Sequence, residues 1–366
     1  MREPAFWWQP GTGILLDPLA RLYGVAAALR LNLSGRGVGV PVICLGNLTV
    51  GGAGKTPAAL AVARLLLAAH QRPFFLSRGY GGRLRGPVRV NPAHHSAADV
   101  GDEPLLLARL APTIVARDRI EGAMAAVFGG AGVIVMDDGF QNPSLTKDLA
   151  ILVVDGRRGV GNGRIIPAGP LRAPLETQIA HAHGLIIVGP PAGAEPVVEV
   201  ARRRGAAIFH GRLVPDRDVL LALKGRRVLA FAGIGDPHKF FATLAEAGIE
   251  VAERAGFPDH HRYSAAEAQA LLARAEAANL VLLTTEKDVA RLAGDPHIAA
   301  LAARATALPV RLAIEEETAF GELIRNAAKR SLPDSGHGET SRHGMIGQDF
   351  RRYPAPWRCK TASGVA

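Results

Sequence analysis

The sequence predicts an α/β fold: a parallel sheet with helices on both faces, followed by a smaller C-terminal α/β domain and preceded by a single N-terminal helix. Three observations carry this expectation. Between residues 38 and 188, short runs of β-branched and other apolar residues alternate with alanine-rich stretches of helical spacing, the pattern of a parallel sheet buried on both sides. A shorter alternation of the same kind resumes near residue 212. Between the first apolar run and its helix lies VICLGNLTVGGAGKT, residues 42–56, a strand, a glycine loop and a helix start.

That loop makes the large sheet P-loop NTPase-like. A bound phosphate needs backbone N–H groups free of Cβ shielding, a helix N-terminus beneath it, a lysine for its charge and a hydroxyl for Mg²⁺. Thr49, Val50, Gly51, Gly52, Ala53, Gly54, Lys55 and Thr56 supply all four. The spacing departs from G-x-x-x-x-G-K-[ST], because Thr49 stands where the first glycine belongs.

Taken in order, residues 1–37 hold Trp7 and Trp8, then Asp17-Pro18 as a helix N-cap and first turn, then Leu19, Leu22, Tyr23, Ala26 and Leu29 at helical spacing. Arg21 and Arg30 interrupt any membrane-spanning run. The segment reads either as an amphipathic helix lying in a membrane interface or as one packed on its own domain. Strands are expected at 40–45, 74–77, 113–116, 133–136, 151–154 and 185–188, with helices at 57–69, 103–111 and 119–128, giving one domain over 38–210. The second domain, 211–330, is expected to carry strands at 228–232, 249–251, 280–285 and 310–312 and helices at 237–247 and 265–277. Pro190, Pro191 and Pro215 mark the linker, and 331–366, rich in Gly, Ser, His, Pro and Arg without periodicity, reads as a disordered tail.

Composition narrows the partners. The 366 residues are 48% hydrophobic, 21% charged and 5% aromatic, a globular balance. A formal charge of +10 points to an anionic partner, either a nucleotide or an acidic membrane surface. No basic run interleaved with aromatics supports nucleic acid, and nothing marks an obligate protein partner. Cys44 and Cys359 are the two cysteines, too few for a disulfide framework or a zinc site.

The residues able to do chemistry gather at expected strand ends. Lys55 can bridge the outer phosphates and Thr56 can ligate Mg²⁺. Asp137 and Asp138 follow the 133–136 strand, where a metal-associated acid belongs; adjacent carboxylates there repel unless a cation joins them. Asp102 and Glu103 precede a helix beginning at Pro104, an acid pair whose first reading on the residues alone is helix capping by Asp102. Asp259, His260 and His261 concentrate titratable groups in a loop, as a surface cluster or as an oriented proton acceptor. Arg78, Arg119 and Arg172 can clamp phosphates or simply be solvated. Thr285-Glu286-Lys287-Asp288 has the wrong order for a guanine-reading motif.

Together GNLTVGGAGKTP, SRGYGG, VGDEP, Asp118-Arg119, DDGFQ, GNGRIIPAGPLR, FAGIGDPHKFF, FPDHHRY and TTEKD occur in this order, and the sequence resembles the tetraacyldisaccharide 4′-kinases of lipid A biosynthesis up to about residue 325. The resemblance implies a two-domain P-loop kinase, peripheral on the cytoplasmic face of the bacterial inner membrane. It implies use of ATP and Mg²⁺ to phosphorylate the 4′-hydroxyl of tetraacyldisaccharide 1-phosphate, giving lipid IVA. It also implies a membrane-associating N-terminal helix and a nucleotide loop at Gly51 to Thr56. Asp102 would help deprotonate the acceptor with His260 as partner, Glu103 would lie near the metal, and Asp137 and Asp138 would form the acid pair. Arg78, Tyr80, Arg119, Gln141 and Arg172 would meet nucleotide or acceptor phosphate. Many relatives follow PAGPLR with glutamate, whereas this chain has Ala173 there and Glu176 three residues on.

Overall fold

The computed structural model describes residues 3–329; the expected tail at 331–366 lies outside the described residues. Thirteen strands appear in two sheets among the described residues. In chain order they are β1 Val42–Gly46, β2 Pro73–Ser77, β3 Val88–Arg89, β4 Thr113–Val115, β5 Val133–Asp137, β6 Leu149–Asp155, β7 Gly184–Val188, β8 Ala207–Pro215, β9 Arg227–Ala232, β10 Glu250–Gly256, β11 Val281–Thr285, β12 Thr306–Leu308 and β13 Val310–Ile314. The helices are α1 Asp17–Leu31, α2 Lys55–Ala68, α3 Ala97–Val100, α4 Asp102–Ala108, α5 Arg119–Phe128, α6 Leu175–Ala180, α7 Glu195–Arg204, α8 Arg217–Leu223, α9 Pro237–Glu246, α10 Ala265–Ala277, α11 Glu286–Leu292, α12 Ala299–Arg304 and α13 Glu317–Lys329.

The large sheet runs β13-β8-β7-β6-β1-β5-β2-β4-β3, parallel except for its edge strands β13 and β3. Its central strands are apolar throughout because each face meets helices. In β1, Val42 and Cys44 join one core while Ile43 and Leu45 join the other, the two-residue alternation of a pleated strand. α2 buries Ala58, Ala59, Val62, Ala63 and Leu66 at helical spacing beside α13, and α5 and α7 cover the opposite face. The small sheet, β10-β9-β11-β12, is wholly parallel, with α10 and α12 on one face and α9 on the other.

Strand pairing redraws the expected division of the chain. The stretch around Pro190 and Pro191 is no linker: α7 and β8 follow it and extend the large sheet, so the chain leaves that sheet only after Pro215. It returns at 310, where β13 pairs antiparallel with β8 and α13 then packs among the residues of α2. Residues 310–329 therefore belong to the large sheet, although the sequence placed them in the smaller unit.

α1 differs from an ordinary surface helix. It packs inward with Ala20, Gly24, Ala27 and Leu31 and presents Leu19, Leu22, Tyr23, Val25 and Leu29 outward. Asp17 is inside the helix rather than at its cap, and its carboxylate pairs with Arg164. The two tryptophans are not part of this outward face. Trp7 is buried and donates to Pro167 O at 3.0 Å, while Trp8 donates to Glu3 and stacks under Arg158. No helix among the described residues is long and apolar enough to cross a membrane.

Candidate active site

Apart from Asp102, Glu103 and His260, the expected site residues sit at the carboxyl ends of large-sheet strands, in the loops that follow them, or in the first turn of the next helix. After β1 the chain turns through 47–54 into α2, with Gly51 at φ 103° and Gly54 at φ 94°, left-handed conformations that disfavour a side chain. The loop is braced from below. Val50 N donates to Pro170 O, Asn47 Nδ2 to Gly51 O, and Gln141 Nε2 to Asn47 O, each at 2.9 Å. Gln141 thus shapes the loop. Gln178, which has no exposed surface, supports Gln141 and donates to Leu48 O. Lys55 and Thr56 open α2, both buried.

The two adjacent aspartates after Met136 have opposite surroundings. Asp138 leaves the strand at φ 55° and turns to cations, with Oδ1 2.9 Å from Arg172 Nη1 and 3.8 Å from Lys55 Nζ. Lys55 and Arg172 outweigh its partial desolvation and hold this half-buried carboxyl below the usual range. Asp137 is 1% exposed, and neither of its carboxylate oxygens has a hydrogen-bond partner. Burial, with Glu103 nearby, pushes it up to about 7. Arg119 is likewise buried; Asp118 caps α5 and so sets Arg119 at the helix start, where Nη1 donates to Ala116 O at 2.7 Å and Nε has no partner. Arg78 is exposed and near enough to Arg119 to lower its pKa further beyond the effect of burial.

The second cluster crosses from one sheet to the other. Asp102 does not cap its helix. Its Oδ1 lies 3.2 Å from His260 Nδ1, and its Oδ2 accepts from Arg291 Nε at 2.9 Å and Nη2 at 2.6 Å. Burial works against ionisation here, but the His260 bond and the charges of Arg291 and Lys287 outweigh it, and Asp102 stays far below the usual carboxylate range. His260, at φ 54°, has Nε2 3.7 Å from Asp259 Oδ2 and its ring 5.0 Å from that of the exposed Tyr80. Desolvation lowers its pKa, yet Asp102 and Asp259 leave it raised above 6.5. Glu103 Oε1 accepts from Lys287 Nζ at 2.6 Å. A cleft of about 310 Å³ opens beside the pair, lined by Tyr80, Asp102, His260, Arg262, Arg291 and Ile298 among others.

Lys287, Asp288 and Arg291 are the site residues that sequence reading did not assign. The TTEKD motif was the available signal, since a strand end followed by Thr and a charged turn places Lys287 and Arg291 on one helix face. Ala173 is fully buried, and Glu176 lies at the surface beside Arg203 and Arg204, so no carboxylate replaces the relatives' glutamate at this point.

The tetraacyldisaccharide-1-P 4′-kinase family model matches residues 12–329. A tetraacyldisaccharide 4′-kinase of Rhodopseudomonas palustris (strain BisA53) is 54% identical over 325 residues, covering 88% of this chain and 95% of that protein. One from Nitrobacter winogradskyi is 53% identical over 326 residues, 88% of this chain and 97% of that protein. The crystal structure of LpxK from Aquifex aeolicus, in complex with ATP, superposes with a TM-score of 0.66 at 29% identity, covering 86% of this chain and 99% of that one. The chain belongs to the tetraacyldisaccharide-1-P 4′-kinase family.

Proposed function

We propose that the protein transfers the γ-phosphoryl group of ATP to the 4′-hydroxyl of a tetraacyldisaccharide 1-phosphate, forming lipid IVA. The observation that carries the reading is the meeting of a lysine-tipped phosphate loop with a hydrogen-bonded Asp102–His260 pair whose members come from different sheets. Phosphoryl transfer through a loose transition state asks for alignment and charge neutralisation more than for a strong base. The loop amides and Lys55 hold the outer phosphates, and Arg119 with Arg78 offers guanidinium charge beside them.

The residues fit Mg²⁺. Asp137 supplies two buried oxygens without partners, and Thr56 supplies a hydroxyl. Asp138 is engaged by Arg172 and Glu103 by Lys287, so both act in our reading as outer carboxylates. Among the described residues no three His, Cys, Asp or Glu side chains cluster as metal ligands, which suits an ion held by one or two protein groups together with phosphate and water. When bound, Mg²⁺ would neutralise charge on the β- and γ-phosphates.

Asp102, strongly acidic and tied at both oxygens, orients the imidazole. His260 is then the member able to hold the acceptor's proton at Nε2, with Nδ1–H donating to Asp102. The lipid's chains favour work at a membrane surface, since exposing them to water costs ~0.8 kcal/mol per CH₂. The outward apolar face of α1 and the charge of +10 support a peripheral position on the cytoplasmic face of the inner membrane. The test is transfer of labelled γ-phosphate from ATP to tetraacyldisaccharide 1-phosphate in detergent micelles with Mg²⁺. Labelled lipid from the wild type and none from Lys55→Ala is expected; ATP binding without labelled lipid would overturn the reading.

A further inference from the structure

The nucleotide chemistry leaves the Thr285-Glu286-Lys287-Asp288 motif unused, yet the helix it opens reaches the proton-handling pair. Thr285 caps α11, accepting from Asp288 N at 3.2 Å. Lys287 and Arg291, four residues apart, share one face of that helix and reach from the small sheet's side to the first turn of α4. Arg291 is held on two sides. Its Nε and Nη2 fork onto Asp102 Oδ2, while Nη1 donates to Gly233 O at 2.5 Å and Asp288 Oδ1 at 2.8 Å. Asp288, with no exposed surface, also accepts from Gly233 N at 3.0 Å, Tyr263 Oη at 2.8 Å and Thr285 Oγ1 at 2.6 Å. A guanidinium clamped in this way fixes the position of the carboxylate oxygen it grips, and the bond from Oδ1 to His260 then sets the carboxylate's orientation.

We propose that Arg291 is a positioning residue for phosphoryl transfer: by gripping Asp102 Oδ2 it aims Oδ1 at His260 Nδ1 and so sets the imidazole for the acceptor hydroxyl. The inference rests on the reading of Asp102 and His260 as the proton-accepting pair. Arg291 is not needed merely to join the two sheets, because Lys287–Glu103 crosses the same boundary at the adjacent residue of α4's first turn. Loss of Arg291 also leaves Asp288 with three donors, so the small domain keeps that buried carboxylate satisfied. Lysine in its place carries the charge but not the fork.

The experiment compares wild type, Arg291→Ala, Arg291→Lys, Asp102→Asn and the Asp102→Asn/Arg291→Ala double variant in the micellar transfer assay, with and without millimolar guanidinium. ATP binding and the urea midpoint report folding. Expected is a kcat loss of about 100-fold in Arg291→Ala, at the low end of what a positioned acid–base group contributes, with KM for ATP unchanged and partial recovery on adding guanidinium. Arg291→Lys should fold as wild type and still be slow. The double variant should be no slower than Asp102→Asn, because Arg291 acts through that carboxylate. Wild-type kcat in either Arg291 variant, absence of guanidinium recovery in a folded Arg291→Ala protein, or multiplied losses in the double variant would overturn the proposal. Full turnover in Asp102→Asn would instead remove the reading beneath it, whatever Arg291 variants do.

Discussion

Asp137→Asn should make the metal-free protein more stable at alkaline pH while abolishing turnover. The carboxylate is 1% exposed with both oxygens unpartnered, and burial raises its pKa from 3.8 to about 7. The native state therefore keeps this proton over a range in which the unfolded chain has released it. Wild-type stability falls as pH rises from about 4 to about 7, and is level above that. At 1.36 kcal/mol per pKa unit the full loss is about 4 kcal/mol. Asparagine has the same shape and is neutral throughout, so it carries no such slope. Near pH ~3 the aspartate is protonated in both the native and the unfolded state, and the two proteins should match; by pH ~8.5 the variant should lead by up to about 4 kcal/mol. Urea unfolding in EDTA at the two pH values measures the difference. Adding Mg²⁺ with ATP should then raise the wild-type midpoint and leave the variant's far less changed, since a ligand that binds only the native state stabilises by its occupancy. A pH-independent difference, or a wild type more stable than the variant at the higher pH, would refute the assignment of Asp137 as a buried carboxylate awaiting a cation.

Three further outcomes follow from the same geometry. In the phosphate loop, Gly51→Ala should lower the urea midpoint, because φ 103° is strained by ~1–3 kcal/mol for a side chain and the added methyl runs into the Glu3 carboxylate; Gly52→Ala meets nothing within 4 Å, so it should unfold like wild type and weaken ATP titration instead. The kcat–pH profile should fall as pH drops through the raised His260 pKa, above 6.5, because the protonated ring cannot accept a proton, and His260→Gln should be slow without that limb. Leu22 and Leu29 are 72% and 65% exposed on α1. Replacing both by serine should weaken sedimentation with anionic vesicles by about 100-fold, from ~1.5 kcal/mol per leucine, and leave the urea midpoint unchanged.

What the sequence disclosed, and what it did not, divides along locality. Central strands announce themselves because burial on both faces demands unbroken apolar runs, so β1, β2, β5, β6 and β7 were read to within two residues of their ends. β8 was missed because it carries His210, Gly211 and Arg212 beside its apolar residues and is only partly buried. β13 was recognised as a strand but joined to the wrong sheet. Its partner β8 lies about a hundred residues earlier, and no local pattern encodes a pairing so distant. Trp7 and Trp8 left two readings open for a related reason: amphipathic aromatics suit a membrane interface and a polar-capped core equally well, and only the structure shows Trp7 bonded to Pro167 O and Arg158 over Trp8.

The site shows the same limit more sharply. The residue types at the strand ends could be listed from the sequence, but their division of labour is a matter of angle. Asp137 and Asp138 are chemically identical neighbours, and only the change from extended strand to φ 55° sends one to Arg172 and leaves the other facing inward without a partner. A single arginine in EKDVARL looks like any helical surface charge until the second sheet brings α11 against α4. The consequence for function is physical. The loop proposed to hold the outer phosphates is local and readable as a motif, whereas the Asp102–His260 pair proposed to handle the proton forms only where the two sheets' units meet. Under the proposed mechanism, any perturbation that separates the sheets should therefore spare ATP binding and abolish transfer.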